Sequence, residues 1–273
     1  MFTWPEIIVL AIIAFVGHAM ALLWYVAWKK QWKLTSKTIY ELSFKEGQLQ
    51  RELLNSIHAP MHAVILGAFI WLGAFQAREV GSFFCSVAIT FVWAEIWHYG
   101  SHRAMHLKSL HWIHLEHHKS YLNSPFTAIS FSFWEKLIFD LGLLGFLALI
   151  DTVLDLNFYG IATWYIGYLV VNSFSHANFE FKSSIYNRRL GKVLTSTTYH
   201  SLHHSRYVGN FGLATRLLDK MFRTEWPDYE PLFEKVTKHG QPLTKLREKV
   251  ETGAANRVPT VSKSVTEIWS RGS

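Results

Sequence analysis

Eight histidines fall into three patterns: His102-Arg-Ala-Met-His106, His114-Leu-Glu-His117-His118 and His200-Ser-Leu-His203-His204. Neutral imidazole is a ligand for iron, zinc, copper and nickel. On a helix, spacings of three and four return side chains to one face. His102 with His106, and His114 with His117 and His118, are therefore expected to converge on a common point. Eight or nine imidazoles exceed what a single ion of ordinary coordination number can use, so two metal ions are the economical expectation. Soluble dinuclear iron bundles supply glutamates and Glu-x-x-His pairs, whereas imidazoles dominate here and leave the ions more positively charged. The HExxH pattern of zinc proteases is absent.

The remaining histidines divide by context. His176-Ala-Asn178 follows an apolar run, which makes His176 an additional ligand candidate and Asn178 a candidate to hold a metal-bound water. His98 and His111 each precede a motif by one helical turn and read as donors behind the ligands, with direct ligation as the alternative. Glu95, Glu116 and Asp219 are candidates to orient ligand imidazoles through their second nitrogen. His18 reads as a packed residue, His58 and His62 as interfacial, His239 as surface, and the lone Cys85 as a buried thiol.

These ligands need a scaffold, and composition says where it sits. Half the residues are hydrophobic, 16% are aromatic and only 17% are charged, against roughly 25% in an ordinary soluble domain. Residues 6–28 form an almost unbroken apolar run, long enough at about 1.5 Å per residue to cross a hydrocarbon core of roughly 30 Å. Further runs cover about 60–77, 82–97, 137–150 and 158–174, the last two short enough to span or to re-enter. The expected architecture is an all-α integral membrane protein with four to five transmembrane or re-entrant helices and a cytoplasmic helical cap that carries the metal site. Lys29, Lys30, Lys33, Lys37, Lys45 and Arg51 crowd the segment after the first run, while the turns near 78 and 151–157 hold only Arg78. That asymmetry puts the N-terminus outside and the histidine motifs on the cytoplasmic side. Residues 1–250 read as one membrane-embedded domain and 251–273 as a mobile tail.

The net charge of +7 comes without a basic stripe or RNA-binding motif, so the expected partner is a membrane and not a nucleic acid. Arg188-Arg189 offers a docking point for an acidic electron carrier or anionic headgroups. Phe126, Phe131, Phe133 and Trp134 are read as interfacial packing, with a lipid entrance as the alternative.

The three motifs resemble those of the fatty acid hydroxylase / sterol desaturase superfamily, whose signature is HxxxH, HxxHH and HxxHH on a membrane-embedded helical scaffold. The resemblance covers about 93–226. Trp97-His98-Tyr99 before His102-Arg103-x-x-His106, and Gly209-Asn210-Phe211-Gly212 before Asp219-Lys220-Met221-Phe222, are most similar to sterol 4-methyl oxidases. Phe211 stands where that family usually has Tyr, and Leu217-Leu218 where tryptophans are common. The resemblance implies metal ligation by His102, His106, His114, His117, His118, His176, His200, His203 and His204. It further implies two iron ions, for which zinc can substitute in purified protein, O2 as co-substrate, a lipid substrate and a separate electron-transfer protein. The activity implied is hydroxylation or desaturation of an unactivated C–H bond. A fatty-acyl or ether-lipid hydroxylase is the nearest alternative, and a membrane metal-binding or transport protein is the alternative of another class.

Overall fold

The computed structural model describes residues 2–183, 186 and 189–250. Arg188 and the tail segment 251–273 lie outside the described residues. Among these, helices α1 (Trp4–Lys29), α2 (Gln48–Asn55), α3 (Met61–Trp71), α4 (Val80–Met105), α5 (His111–His118), α6 (Phe133–Leu154), α7 (Phe158–Ser175), α8 (Thr197–Arg206), α9 (Leu217–Phe222) and α10 (Tyr229–Thr237) follow in chain order. No β-sheet forms among the described residues; four isolated bridges tie loops together.

Four stretches are long and apolar enough to cross a membrane: Trp4–Lys29, Gln48–Trp71, Val80–Met105 and Phe133–Leu154. They leave Ile8, Phe15, Leu22, Val64, Phe84, Val92, Leu149 and Val153 facing outward, as lipid-facing helices do. Cys85 is among the exposed positions, contrary to the buried thiol expected, because it falls on the outer face of α4. The fifth run, α7, carries Asn172 and several tyrosines and is less apolar. It packs against α1 and α4 and buries Ile161, Tyr165 and Leu169 in the main core.

Contacts at helix ends fix the direction of each helix. Arg78, in the turn before α4, pairs with Glu6 at the start of α1 at 2.8 Å, and the Phe2 ring meets Trp71 at the end of α3. At the other end of α1, the Trp24 indole donates to Ser173 near the end of α7 at 3.0 Å. The five apolar runs thus alternate in direction, with short turns at one face. Asp151 seals that face by accepting the Phe75 and Leu156 N–H groups at 2.7 and 2.6 Å. Everything else, α2, α5, α8 and the segment after α8, gathers at the opposite face as a polar cap. The cap has its own core of Ile39, Tyr40, Tyr199, Leu202, Tyr229, Leu232 and Phe233. Residues 228–250 form α10 and an irregular return, and α10 buries its inner face in that core.

Gly160 sets the approach of α7 to α4. A Cβ there would stand 2.5 Å from the Phe83 carbonyl oxygen and 2.7 Å from Ser86 Cβ, and backbone cannot swing aside. Gly160→Ala is expected to cost about 1–3 kcal/mol of stability through overpacking, seen as a lower thermal midpoint in detergent.

Candidate metal centre

Four elements deliver the nine histidines. α4 ends in His102 and is followed by His106, α5 carries His114, His117 and His118, His176 caps the end of α7, and α8 carries His200, His203 and His204. Their ring nitrogens assemble into two groups, each compact enough to hold a metal ion. One is His102, His106, His114, His118 and His203; the other is His117, His176, His200 and His204. All nine predicted positions are therefore brought together, but the expected convergence of each HxxHH motif on one point is corrected. At about 100° per residue, positions four apart differ by about 40° while the third lies about 60° to the other side. Thus His114 and His118 face one group and His117 the other, and His200 and His204 pair against His203 in the same way.

The second nitrogen of most rings is held. Nδ1 donates to a backbone carbonyl in five cases: His102 to Phe211 (3.1 Å), His117 to Ser130 (3.0 Å), His176 to Asn172 (3.0 Å), His203 to Gly209 (2.7 Å) and His204 to Ser120 (3.1 Å). His114 Nδ1 meets the Glu135 carboxylate at 2.7 Å. A carbonyl only accepts, so in these neutral rings Nδ1 carries the hydrogen and Nε2 presents a lone pair inward. His117 and His176 then point lone pairs at each other across 3.2 Å. His102 Nε2, His114 Nε2 and both nitrogens of His106 are buried without a hydrogen-bond partner. Converging, unpartnered lone pairs are costly in a buried site unless a cation sits between them. The donor set therefore fits a pair of metal ions. Burial, and then the neighbouring rings, hold His106, His114, His118, His200, His203 and His204 well below the usual imidazole range, and burial pushes His176 down to about 4. All are neutral donors at physiological pH.

The supporting shell differs from the sequence expectation. Glu135 was not foreseen, although among the described residues it is the one carboxyl group bonded to a ring of either group. Glu116 instead pairs with Lys119, Asn55 and Arg51 on the outside. Asp219 acts at one remove: it accepts the Phe211 and Gly212 N–H groups at 2.9 and 2.7 Å and so shapes the loop whose carbonyls hold His102 and His203. Glu95 anchors the same loop farther on, through the Ala214 and Thr215 N–H groups, both at 2.9 Å. Asn178 grips the Tyr40 backbone with both ends of its amide, at 2.9 and 2.8 Å, so its polar atoms are committed away from the two histidine groups. Buried Glu52 accepts from Gln48, Ser120, Ser124 and Thr127, which fixes the loop whose Ser120 carbonyl holds His204.

His98 and His111 belong to neither group. His58 Nδ1 donates to the Phe131 carbonyl at 2.9 Å, as suits an interfacial residue. His62 departs from that expectation: it is 1% exposed, inside the span bundle. A cavity of about 250 Å³ leads from the histidines down between α4 and α7, lined by His98, Phe91, Trp164, Tyr168, Val171 and Leu213 among others. Phe91 and Val171, on its wall, are 40% and 46% exposed on the lipid-facing surface. Of the four aromatics considered for an entrance, only Phe131 lines this cavity. Phe126 packs on Tyr25, and Phe133 and Trp134 are exposed.

The family model described as fatty acid hydroxylase matches residues 87–224, just over half of the chain. Similar curated proteins include the methylsterol monooxygenase erg25B of Aspergillus fumigatus, 31% identical over 144 residues that cover 51% of this chain and 47% of that protein. The very-long-chain aldehyde decarbonylase CER1 of Arabidopsis thaliana is 31% identical over 162 residues, 55% of this chain and 24% of that protein. The very-long-chain aldehyde decarbonylase GL1-5 of Oryza sativa is 28% identical over 154 residues, 53% and 24% of the two chains. The chain thus spans about half the length of the fungal relative and about a quarter of the plant ones. No solved structure matches it.

Proposed function

Because the chain belongs to the fatty acid hydroxylase family, we propose that it is an O2-dependent lipid oxidoreductase that hydroxylates or desaturates an unactivated C–H bond. The single observation that carries this reading is the placement of two all-imidazole groups at the end of an apolar cavity that reaches the lipid-facing surface. In this reading His102, His106, His114, His118 and His203 hold one iron ion and His117, His176, His200 and His204 the other. The ion pair, when bound, supplies the reductive activation of O2.

The chain's own residues do the rest. The five carbonyls and Glu135 fix ring orientation and tautomer in six of the nine rings, so the Nε2 atoms of His102, His114, His117, His176, His203 and His204 are set before an ion arrives. Phe91, Trp164, Tyr168, Val171 and Leu213 make a wall that excludes water and guides an apolar chain toward the histidines. A lipid enters sideways from the bilayer between α4 and α7. Sterol 4-methyl oxidation is the substrate reading favoured by the Trp97-His98-Tyr99 and His102-Arg103 block and by the named fungal relative. A fatty-acyl or ether-lipid chain is the alternative. The Lys and Arg residues between α1 and α2 support a cytoplasmic cap, where a separate electron-transfer protein can reach it.

Iron and zinc per chain, measured in protein purified anaerobically from iron-supplemented membranes, test the reading together with oxidised products in the lipid extract of an expressing host. Two irons and a new oxidised lipid are expected. A chain that binds no metal would sink the dinuclear reading; zinc alone, with no oxidised lipid after iron reconstitution, would sink the oxygenase.

A further inference from the structure

A second set of ionisable groups lies inside the span bundle. His62 on α3, and Lys136 and Asp140 on α6, are 1%, 2% and 0% exposed. Asp140 Oδ1 meets His62 Nδ1 at 2.5 Å and accepts the Tyr165 hydroxyl, from α7, at 3.1 Å. A carboxylate only accepts, so His62 Nδ1 carries the hydrogen and its Nε2 lone pair receives the Lys136 ammonium. The rings of Phe131 and Phe139 cover that ammonium at 4.9 and 5.6 Å. Charged side chains at membrane depth are costly to insert, and they mark ion or proton paths more often than packing. A tie between α3, α6 and α7 needs no lysine.

Position gives the lysine a use. Lys136 lines a small second cavity of about 30 Å³ whose wall also includes His98, His102, His114 and Glu135. That is room for one water molecule. Hydroxylation of RH consumes O2, two electrons and two protons, and returns ROH and H2O. The electrons come from the reductant protein, while the apolar cavity that keeps out bulk water also keeps out its protons.

Resting on the oxygenase reading, we infer that Lys136 is the proton donor for O2 reduction at the histidine site. Its N–H bond breaks as an O–H bond forms, relayed by a water of that small cavity, one proton moves per transfer, and the amine is reprotonated from bulk water between turnovers. His62 and Asp140 are positioning residues: they aim the ammonium and balance its charge.

The test uses the full chain, iron-loaded in detergent, chemically reduced and mixed with O2. Lys136→Arg keeps the charge but cannot release a proton, and Lys136→Met loses both. Both variants are expected to slow O2-dependent reoxidation on the order of 10²-fold and to release more hydrogen peroxide per electron, with iron content unchanged. The midpoint potential should move in Lys136→Met and stay put in Lys136→Arg, which separates the proton from the charge. Wild-type reoxidation should be slower in D2O. An arginine variant that reacts like wild type, or a wild type indifferent to D2O, would overturn the inference, the second without depending on any variant's folding. A wild type that binds two irons and never reacts with O2 would overturn the oxygenase reading, and this inference with it.

Discussion

Replacing His203 by alanine is expected to take lipid oxidation below detection and to cost the five-histidine group its ion. His203 Nε2 lies 3.0 Å from His118 Nε2, and its Nδ1 is fixed by the Gly209 carbonyl at 2.7 Å, so the ring is both central and preset. Losing an orienting partner behind a ligand typically costs about 10–100-fold in metal affinity or activity, and losing the ligand costs more. His200→Ala supplies the matched experiment in the four-histidine group, where His200 Nε2 sits 2.8 Å from His176 Nε2. Each variant is expected to bind about one iron fewer than wild type, and neither to oxidise lipid. Full lipid oxidation by either one would defeat the dinuclear assignment, because it would show that one group is dispensable.

Glu135 comes next in expected effect. Its carboxyl group is the only one bonded to a ring of either group among the described residues, and it is 4% exposed with Oε2 unpartnered. A carboxylate behind an imidazole fixes the tautomer and raises the ring's basicity toward a metal. Glu135→Ala is expected to weaken metal binding about 10–100-fold, and Glu135→Gln, which keeps an acceptor without its charge, to weaken it less. Competition with a graded series of chelators reads the affinity. Equal, wild-type affinities in both variants would remove Glu135 from the supporting shell.

Much of this was legible in the sequence, for identifiable reasons. The apolar runs gave the spans because hydrocarbon thickness fixes helix length, and the motif spacing gave eight of the nine histidines because few arrangements of that density arise without a use, His176 coming from its place after an apolar run. What stayed hidden was three-dimensional. Membership of His117 in the other group from His114 and His118 depends on which elements approach each flank of α5, which spacing does not record. Glu135 looked like any acid at a helix start, three residues after the N-cap Ser132, whose hydroxyl accepts its backbone N–H at 3.1 Å; only the packing of α6 on α5 brings it to His114. His62 looked interfacial because it follows Pro60 at the start of a run, yet Asp140, 78 positions away, draws it inward. Asp219 lies in the matched block and still works only through the loop it shapes.

One consequence of α4 concerns where on a lipid oxidation would fall. The helix starts at the face of short turns and carries its first ligand, His102, 22 residues from Val80, a rise of about 33 Å. The ions would therefore lie one full hydrocarbon thickness from the far face, at the level where headgroups begin. Phe91, on the wall of the lateral cavity, is 11 residues below His102, about 16 Å deeper. A lipid occupying that groove leaves its tail at depth and offers the histidines a carbon near its polar end. The bilayer itself then acts as the ruler for regiochemistry, and a substrate's position of attack would be counted from the headgroup rather than from the methyl terminus.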